Sequence, residues 1–410
     1  MKKTASLIIT FLIIFSALFS ACVGAGSDKP KDTTQAVTTS SETTKSETTL
    51  PETTSPETTE SESSTEETTA EDITTEPPIT KSTVTLIAVG DNLIHDSLIS
   101  SGKKHGYDSF YSRIKDTVSS ADVAIINQES TFTYDPSKYA GYPRFASPPA
   151  IGEAAINAGF DVFTLATNHT WDNGEQPIID TLDFFSKHPS VMALGIHSEM
   201  KSYYQVRVIE KNGIKIAMLN CTALTNRPNS VWWRMNDMSD KDYFRQMLGW
   251  AEKNADITVV IPHWGAEYQH TPNYQQTSWA KFLTECGADI IIGHHPHVVQ
   301  PMMTVKADNG NTSLCYYSLG NFISDQTSVK KNVGGMASLT IVKENGVTRV
   351  EDATLIPTTV HVERVSGTKV FQAMLLTDLT PELLKKDVKF GSNTVEEFWE
   401  VFETASKSYP

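Results

Sequence analysis

Five short segments of this 410-residue chain place residue types that bind metal ions or move protons directly after apolar runs. Val89-Gly90-Asp91 offers one carboxylate, and Asn127-Gln128-Glu129 offers a second behind an amide. Asn168-His169, His263-Trp264-Gly265 and Gly293-His294-His295-Pro296-His297 add a further amide and five imidazoles. One histidine in such a place usually serves as a structural hydrogen-bonding group; agreement among five segments points to a shared site. Carboxylate, amide and imidazole together suit borderline divalent ions such as Mn, Fe or Zn, and the lack of cysteine in these segments argues against a structural zinc site. A set this large accommodates one or two ions, a pair being bridged by a carboxylate. Two ions about 3.5–4 Å apart can activate water and steady both oxygens of an in-line phosphoryl displacement.

Such residues meet only if strands deliver them to one rim. From Val84 onward, short β-branched runs alternate with amphipathic stretches, the pattern of a layered α/β domain whose strands are buried on both faces. The runs predict strands at Val84 to Val89, Asp122 to Ile126, Asp161 to Ala166, Lys215 to Asn220, Ile257 to Pro262, Asp289 to Ile292 and Leu314 to Ser318. Helices are predicted over Gly152 to Gly159 and Glu175 to Lys187, and a third begins with Thr271 as cap and Pro272 in the first helical position. Its apolar face is Trp279, Phe282, Leu283 and Cys286, and Gly287 stops it. Beyond Asn332, Ala337 to Val342, Val350 to Ile356 and Thr359 to Val365 predict a β meander with a turn at Asn345-Gly346. Ligands of open α/β sheets bind beyond the carboxyl ends of the strands, which is where the five segments fall.

Composition divides the rest of the chain. Residues 1–22 carry Lys2 and Lys3, then an apolar stretch from Leu7 to Phe19, then Ser20-Ala21-Cys22. This is the pattern of an export signal, too short to span a bilayer stably. Small residues before Cys22 resemble a bacterial lipobox, in which that cysteine receives a lipid, although Phe19 stands where leucine is usual. Between Asp28 and Lys81, 25 of 54 residues are Ser or Thr and none is aromatic, so the stretch cannot bury a core and reads as an extended tether. Thirteen acids and four lysines in that stretch supply most of the formal net charge of −15. A chain this acidic, with no basic run, is a poor match for nucleic acid.

The order Gly-Asp, Asn-x-Glu, Asn-His-x-x-Asp-x-Gly, His-Trp-Gly-x-Glu, Gly-x-His-Pro-His-x-x-Gln-Pro and Ser-Leu-Gly-Asn-Phe, spread over Val84 to Ser324, resembles the CapA family of capsule and poly-γ-glutamate synthesis proteins. That family is similar to the calcineurin-like metallophosphoesterases. The resemblance implies an α/β sandwich of two mixed sheets flanked by helices with a C-terminal β meander. It divides the chain into a lipoprotein leader (1–22), a tether (23–82), a CapA-like domain (83–366) and a C-terminal extension (367–410). It also implies metal ligands at Asp91, Glu129, Asn168, His263, His295 and His297, with His169 as the acid beside them and Asp172 orienting it. Glu267 and His294 would support the ligands, and Arg144 would contact an anion.

Two departures bear on those roles. Phosphoesterases usually carry a histidine two residues after the first aspartate, where this chain has Leu93 and the nearest imidazole is His95. Glu129 also replaces an aspartate, lengthening the bridge by a methylene. The implied function is a lipid-anchored, extracytoplasmic protein in surface polymer assembly or export, attacking phosphorus or an acyl centre with metal-activated water. Its partners would be an anionic polymer or phosphoester, the membrane through Cys22, and membrane-embedded synthase components. The other class left open is a non-catalytic metal-binding scaffold for polymer or partners.

Overall fold

The computed structural model describes residues 80–407. The leader, Cys22 and nearly all of the expected tether lie outside the described residues. In chain order the strands are β1 (Lys81–Asn92), β2 (Val123–Gln128), β3 (Val162–Thr164), β4 (Met192–Leu194), β5 (Arg207–Lys211), β6 (Ile214–Thr222) and β7 (Ile257–His263). They continue as β8 (Ile290–Ile292), β9 (Met302–Lys306), β10 (Thr312–Tyr316), β11 (Asn321–Ile323), β12 (Val333–Glu344), β13 (Val347–Val365) and β14 (Thr368–Leu375). One sheet has the order β14-β13-β12-β1-β2-β3-β4, with β11 paired to the end of β1; the other has the order β5-β6-β7-β8-β10-β9. Both are mixed: β1 to β4 run parallel beside antiparallel β12 to β14, and β6, β7, β8 and β10 run parallel between antiparallel β5 and β9.

Side-chain alternation along the strands builds three layers. Val84, Leu86 and Ala88 of β1 share a buried cluster with Ile216 of β6, Val259 of β7 and Ile290 of β8, which packs one sheet on the other. The intervening Ile87 and Val89 face outward and pack with Leu98, Ile151 and Ile178 from helices Asp96–His105, Ala150–Ala158 and Glu175–Ser186. On the far side, Leu219, Val260 and Ile291 pack with Phe244 and Leu283 of helices Lys241–Asn254 and Tyr274–Glu285. Each fully buried aliphatic side chain of this kind contributes about 1.5–3 kcal/mol, so the two strand faces fix the register of the strand ends. All seven predicted strands are present, and the sandwich of two mixed sheets flanked by helices is the expected architecture.

Two local expectations are corrected. The helix assigned a Thr271 cap starts at Tyr274 and is capped by Asn273, whose Oδ1 accepts from Gln276 N at 3.0 Å while Gln276 Oε1 accepts from Asn273 N at 3.0 Å. This reciprocal box satisfies two backbone amides, an advantage that a cap at Thr271 lacks. The meander segments Val350 to Ile356 and Thr359 to Val365 form one strand, β13, because Pro357 and Thr358 continue the ladder opposite Gly335 and Gly334. Pairing of β13 with β14 begins only at Thr358, so Pro357 has a neighbour on one side and its missing N–H breaks no ladder.

The third meander strand is therefore β14, and the sheet continues past the boundary expected at 366. Residues beyond it supply their own buried layer: Leu376, Leu384, Phe390 and Phe398 cluster with Val299 and Val333. Asp387 Oδ2 accepts from Val362 N at 2.8 Å. Lys389 and Lys369 meet Asp325, just after β11, at 2.8 and 3.2 Å. A chain ending at Ser366 should lose cooperative thermal unfolding or come out insoluble; in calorimetry, a melt matching that of the full chain would show the extension to be dispensable.

Candidate metal centre

Strand ends from both sheets converge on one buried cluster. Asp91 closes β1, Glu129 follows β2, the Asn168-His169 loop follows β3, His263 closes β7, and His294, His295 and His297 follow β8. Asp91, Glu129, His263 and His294 are essentially inaccessible to solvent. β1 reaches the cluster past Gly90, where a Cβ would stand 2.0 Å from Gly320 O; glycine there lets Asp91 N bond that carbonyl at 2.8 Å. The Asn168 loop is tied across the sheets by Asn220 of β6. Its Oδ1 accepts from Leu165 N and Ala166 N at 2.9 and 2.7 Å, and its Nδ2 donates to Ile261 O at 2.8 Å.

Two of the imidazoles, His297 and His263, have one edge committed to the protein and the other turned inward. His297 Nδ1 lies 3.0 Å from Asp91 Oδ2 and 3.1 Å from Asn321 Oδ1, which leaves Nε2 facing Glu129 Oε1 at 3.5 Å. His263 Nδ1 lies 3.5 Å from Asn127 Nδ2, while its Nε2 faces Asn168 Oδ1 at 2.8 Å and Glu129 Oε1 at 3.7 Å. Metal-ligating histidines are ordinarily held in this way through the nitrogen that does not coordinate. Glu129, His295 and His297 each bring a ligand atom within 4.8 Å of the others. Asp91 stands outside that trio: Asn127 Nδ2 donates to its Oδ1 at 2.9 Å, and His294 Nδ1 lies 3.4 Å from the same atom. His294 is thus placed beside Asp91, and Leu93, buried, occupies the position where an imidazole is usual. His95 packs edge-on to Phe145 with ring centroids 5.3 Å apart, its Nδ1 accepting from Asp325 N at 3.3 Å.

The donor set fits a divalent cation. Neither carboxylate oxygen of Glu129, nor His295 Nδ1, has a hydrogen-bond partner, although all are buried. Each such group costs about 1–3 kcal/mol unless something satisfies it. The backbone carries strain here too: His295 and His297 adopt φ of 96° and 57°, a region that side-chain-bearing residues rarely occupy. Such outliers persist where surroundings over-determine them, often at ligand sites.

Charge in the cluster is frustrated without a cation. Burial, with the charges of Asp91 and Glu267, pushes the Glu129 carboxyl up to about 8. Burial alone would lower His297, but Glu129 and Asp91 outweigh it and raise the ring to about 9. His295 is driven down to about 4 by burial and by His297. Asp91 is held well below the usual carboxylate range, since His294 and His297 overcome its burial.

His169 is held in orientation by Asp172. Its Nδ1 meets Asp172 Oδ2 at 2.7 Å, Phe145 N donates to the same oxygen at 2.9 Å, and the Phe145 ring stands edge-on with centroids 4.6 Å apart. Burial lowers its pKa, but the Asp172 hydrogen bond and the Glu129 charge outweigh this and raise it. Arg144 Nε donates to Asp172 O at 2.7 Å, so that guanidinium braces the loop. Glu267 is exposed on the rim, with no hydrogen bond to an imidazole among the described residues. Asn127 and Asn321, which do contact the imidazoles, sit inside segments the sequence marks, one residue from a β2 end and within Ser-Leu-Gly-Asn-Phe. Sequence alone does not distinguish these amides from the asparagines that commonly cap turns at strand ends.

Binding a cation must displace the proton that Glu129 and His297 hold. Affinity for Zn or Mn should therefore rise as pH increases from 7 to 9, and His297→Ala should lower affinity and flatten the rise. Competition titration against a chelator checks this; affinity independent of pH, or unchanged in the variant, would remove these residues from the site.

Three comparisons bear on identity. The model of the bacterial capsule synthesis protein PGA_cap family matches residues 85–326. Over 267 residues the chain is 30% identical to the PGA biosynthesis protein CapA of Bacillus subtilis, covering 64% of this chain and 69% of that one. It is 34% identical over 186 residues to the capsule biosynthesis protein CapA of Bacillus anthracis, covering 42% of each. A solved phosphatase from Mycoplasma pneumoniae superimposes with a TM-score of 0.41 at 15% identity, covering 68% of this chain and 94% of that one. The matched segment takes in every strand end of the cluster from Asp91 to Asn321, and the chain belongs to the bacterial capsule synthesis protein PGA_cap family.

Proposed function

We propose that this chain is an exported, lipid-anchored protein whose divalent-metal centre performs phosphoesterase-type hydrolysis in the synthesis or export of a capsule or poly-γ-glutamate. The observation that carries the reading is Glu129, buried with both oxygens unpartnered between the inward edges of His263 and His297. Relatives named for capsule and PGA biosynthesis support the polymer.

A bound Mn, Fe or Zn ion supplies a Lewis acid and lowers the pKa of water to about 7. Glu129, His295 and His297 would hold it, with His263, Asn168 and Asp91 completing the surroundings. His169, whose pKa the Asp172 hydrogen bond and the Glu129 charge raise against its burial, would direct its free ring edge toward a leaving oxygen. Arg144 holds that pair in place through the Asp172 carbonyl. Glu267, exposed on the rim, would act on this machinery through its charge, which raises Glu129 and His297. Substrate would be an anionic polymer or phosphoester, reached from the extracytoplasmic membrane face on a tether from Cys22, beside membrane-embedded synthase components. Leu93 favours a second reading, a metal-binding scaffold without turnover, because it removes one imidazole from the expected set.

Hydrolysis of a chromogenic phosphodiester with each of the three ions separates the readings. His169→Ala should retain its metal while turnover falls about 10²- to 10⁴-fold, the range for a positioned proton donor; loss of metal would make it a ligand. No hydrolysis by the metal-loaded wild-type chain with any ion would leave the scaffold. Cys22→Ser should abolish labelling by a fatty-acid probe and release the protein from membranes; undiminished labelling would assign the anchor elsewhere.

A further inference from the structure

Tyr268 and Lys331 stand at the mouth of the centre and have no part in the chemistry above. Tyr268 adopts a left-handed backbone conformation, φ 63°, with its amide donating to Pro296 O at 2.7 Å. Its ring is tilted by 32° to that of His297, with centroids 6.0 Å apart, and the residue is 40% exposed. A strained tyrosine is thereby held between solvent and a candidate ligand, the setting in which such strain serves binding.

Lys331 places its ammonium 3.5 Å from the centre of the Tyr268 ring. Its backbone carbonyl accepts from Asn321 Nδ2 at 2.8 Å, and Oδ1 of the same asparagine meets His297 Nδ1 at 3.1 Å. One amide side chain thus sets the lysine and the imidazole in register. Lys369 and Lys389, also near the end of β11, share an ion pair with the single carboxylate of Asp325, whereas Lys331 forms no ion pair among the described residues. Glu267, next to Tyr268, is exposed, and its carboxylate interacts with the Tyr268 hydroxyl rather than forming an ion pair with that cation. A fixed, unpaired ammonium on an aromatic face can take an anion on its open side while the ring supports it from below.

We propose that Tyr268 and Lys331 form a substrate subsite, holding an anionic group on the polymer unit next to the one that lies at the metal centre. The subsite rests on the proposed function for its neighbour alone, since binding needs no turnover. The shared chemistry is a singly charged oxyanion, either a pendant carboxylate or a backbone phosphodiester.

Calorimetric titration of the full, metal-loaded chain tests this with three probes: a short γ-linked glutamate oligomer, a glycerol phosphate oligomer and a neutral γ-linked isoglutamine oligomer, in which carboxamides replace the free carboxylates. Lys331→Gln should weaken at least one anionic oligomer about fivefold, the upper range for a partly exposed charge pair, and the loss should shrink in high salt. Tyr268→Leu should weaken the same oligomer, Lys331→Arg should retain it, and metal content should be equal in all four proteins. The oligomer affected identifies the anion. Equal affinity of wild type and Lys331→Gln for both anionic oligomers, or wild-type binding no tighter than that of the neutral probe, overturns the subsite. A chain that binds an anionic oligomer through Lys331 yet hydrolyses nothing would retain the subsite and lose the hydrolytic reading.

Discussion

Two carboxylates and four imidazoles are buried together where the sheets end, and that electrostatic constraint governs the rest of the molecule. Ionised groups in a dry interior cost several kcal/mol each unless paired or satisfied. The protein meets part of that cost: Asp91 is paired with His294 and His297, and the Nδ1 edge of His263 faces Asn127. Hydrogen bonds are still lacking at Asp91 Oδ2, at both His294 nitrogens, and at Glu129 and His295, and the last two, with His297, bring ligand atoms to one shared place. A divalent cation would resolve this imbalance in a way that further hydrogen bonds among the same groups cannot.

The sandwich exists to hold that imbalance still. β1 and β2 come from one sheet and β7 and β8 from the other, so their ends stay in register only while the inter-sheet core is packed. Asn220 ties the loop after β3 to β7, and Asn127 touches both Asp91 and His263, so polar bridges repeat at the rim what apolar packing does below. Positive φ at His295 and His297 is sustained by the same scaffold, with Pro296 O bonded by Tyr268 N and His297 O by Asn321 Nδ2.

Much of this was legible in the sequence because it is local. A buried strand is a short apolar run, and the polar residue that ends it marks the rim; that logic locates Asp91, Glu129, His263 and His297 without a structure. Partners that act across the fold are less visible. Asn127 and Asn321 look like turn residues until three strands converge on them, and Lys331 looks like one more surface lysine until the Tyr268 ring is beneath it. Pro357 continues β13 because that strand lacks a second neighbour there, a condition no local pattern reveals. Likewise the reciprocal bonds of Asn273 and Gln276 outweigh the Thr271-Pro272 signal, which shares the same few residues. The segment after Ser366 gave no motif, yet its apolar residues complete a core with Val299 and Val333.

Anomalous diffraction at the zinc edge, from crystals of the full chain grown with Zn, tests the central claim directly. A peak about 2.0–2.2 Å from Glu129 oxygen and from ring nitrogens of His295 and His297 is the result this account predicts. A peak held by other residues, or a cluster that stays metal-free with Glu129 bonded to its neighbours, would contradict it.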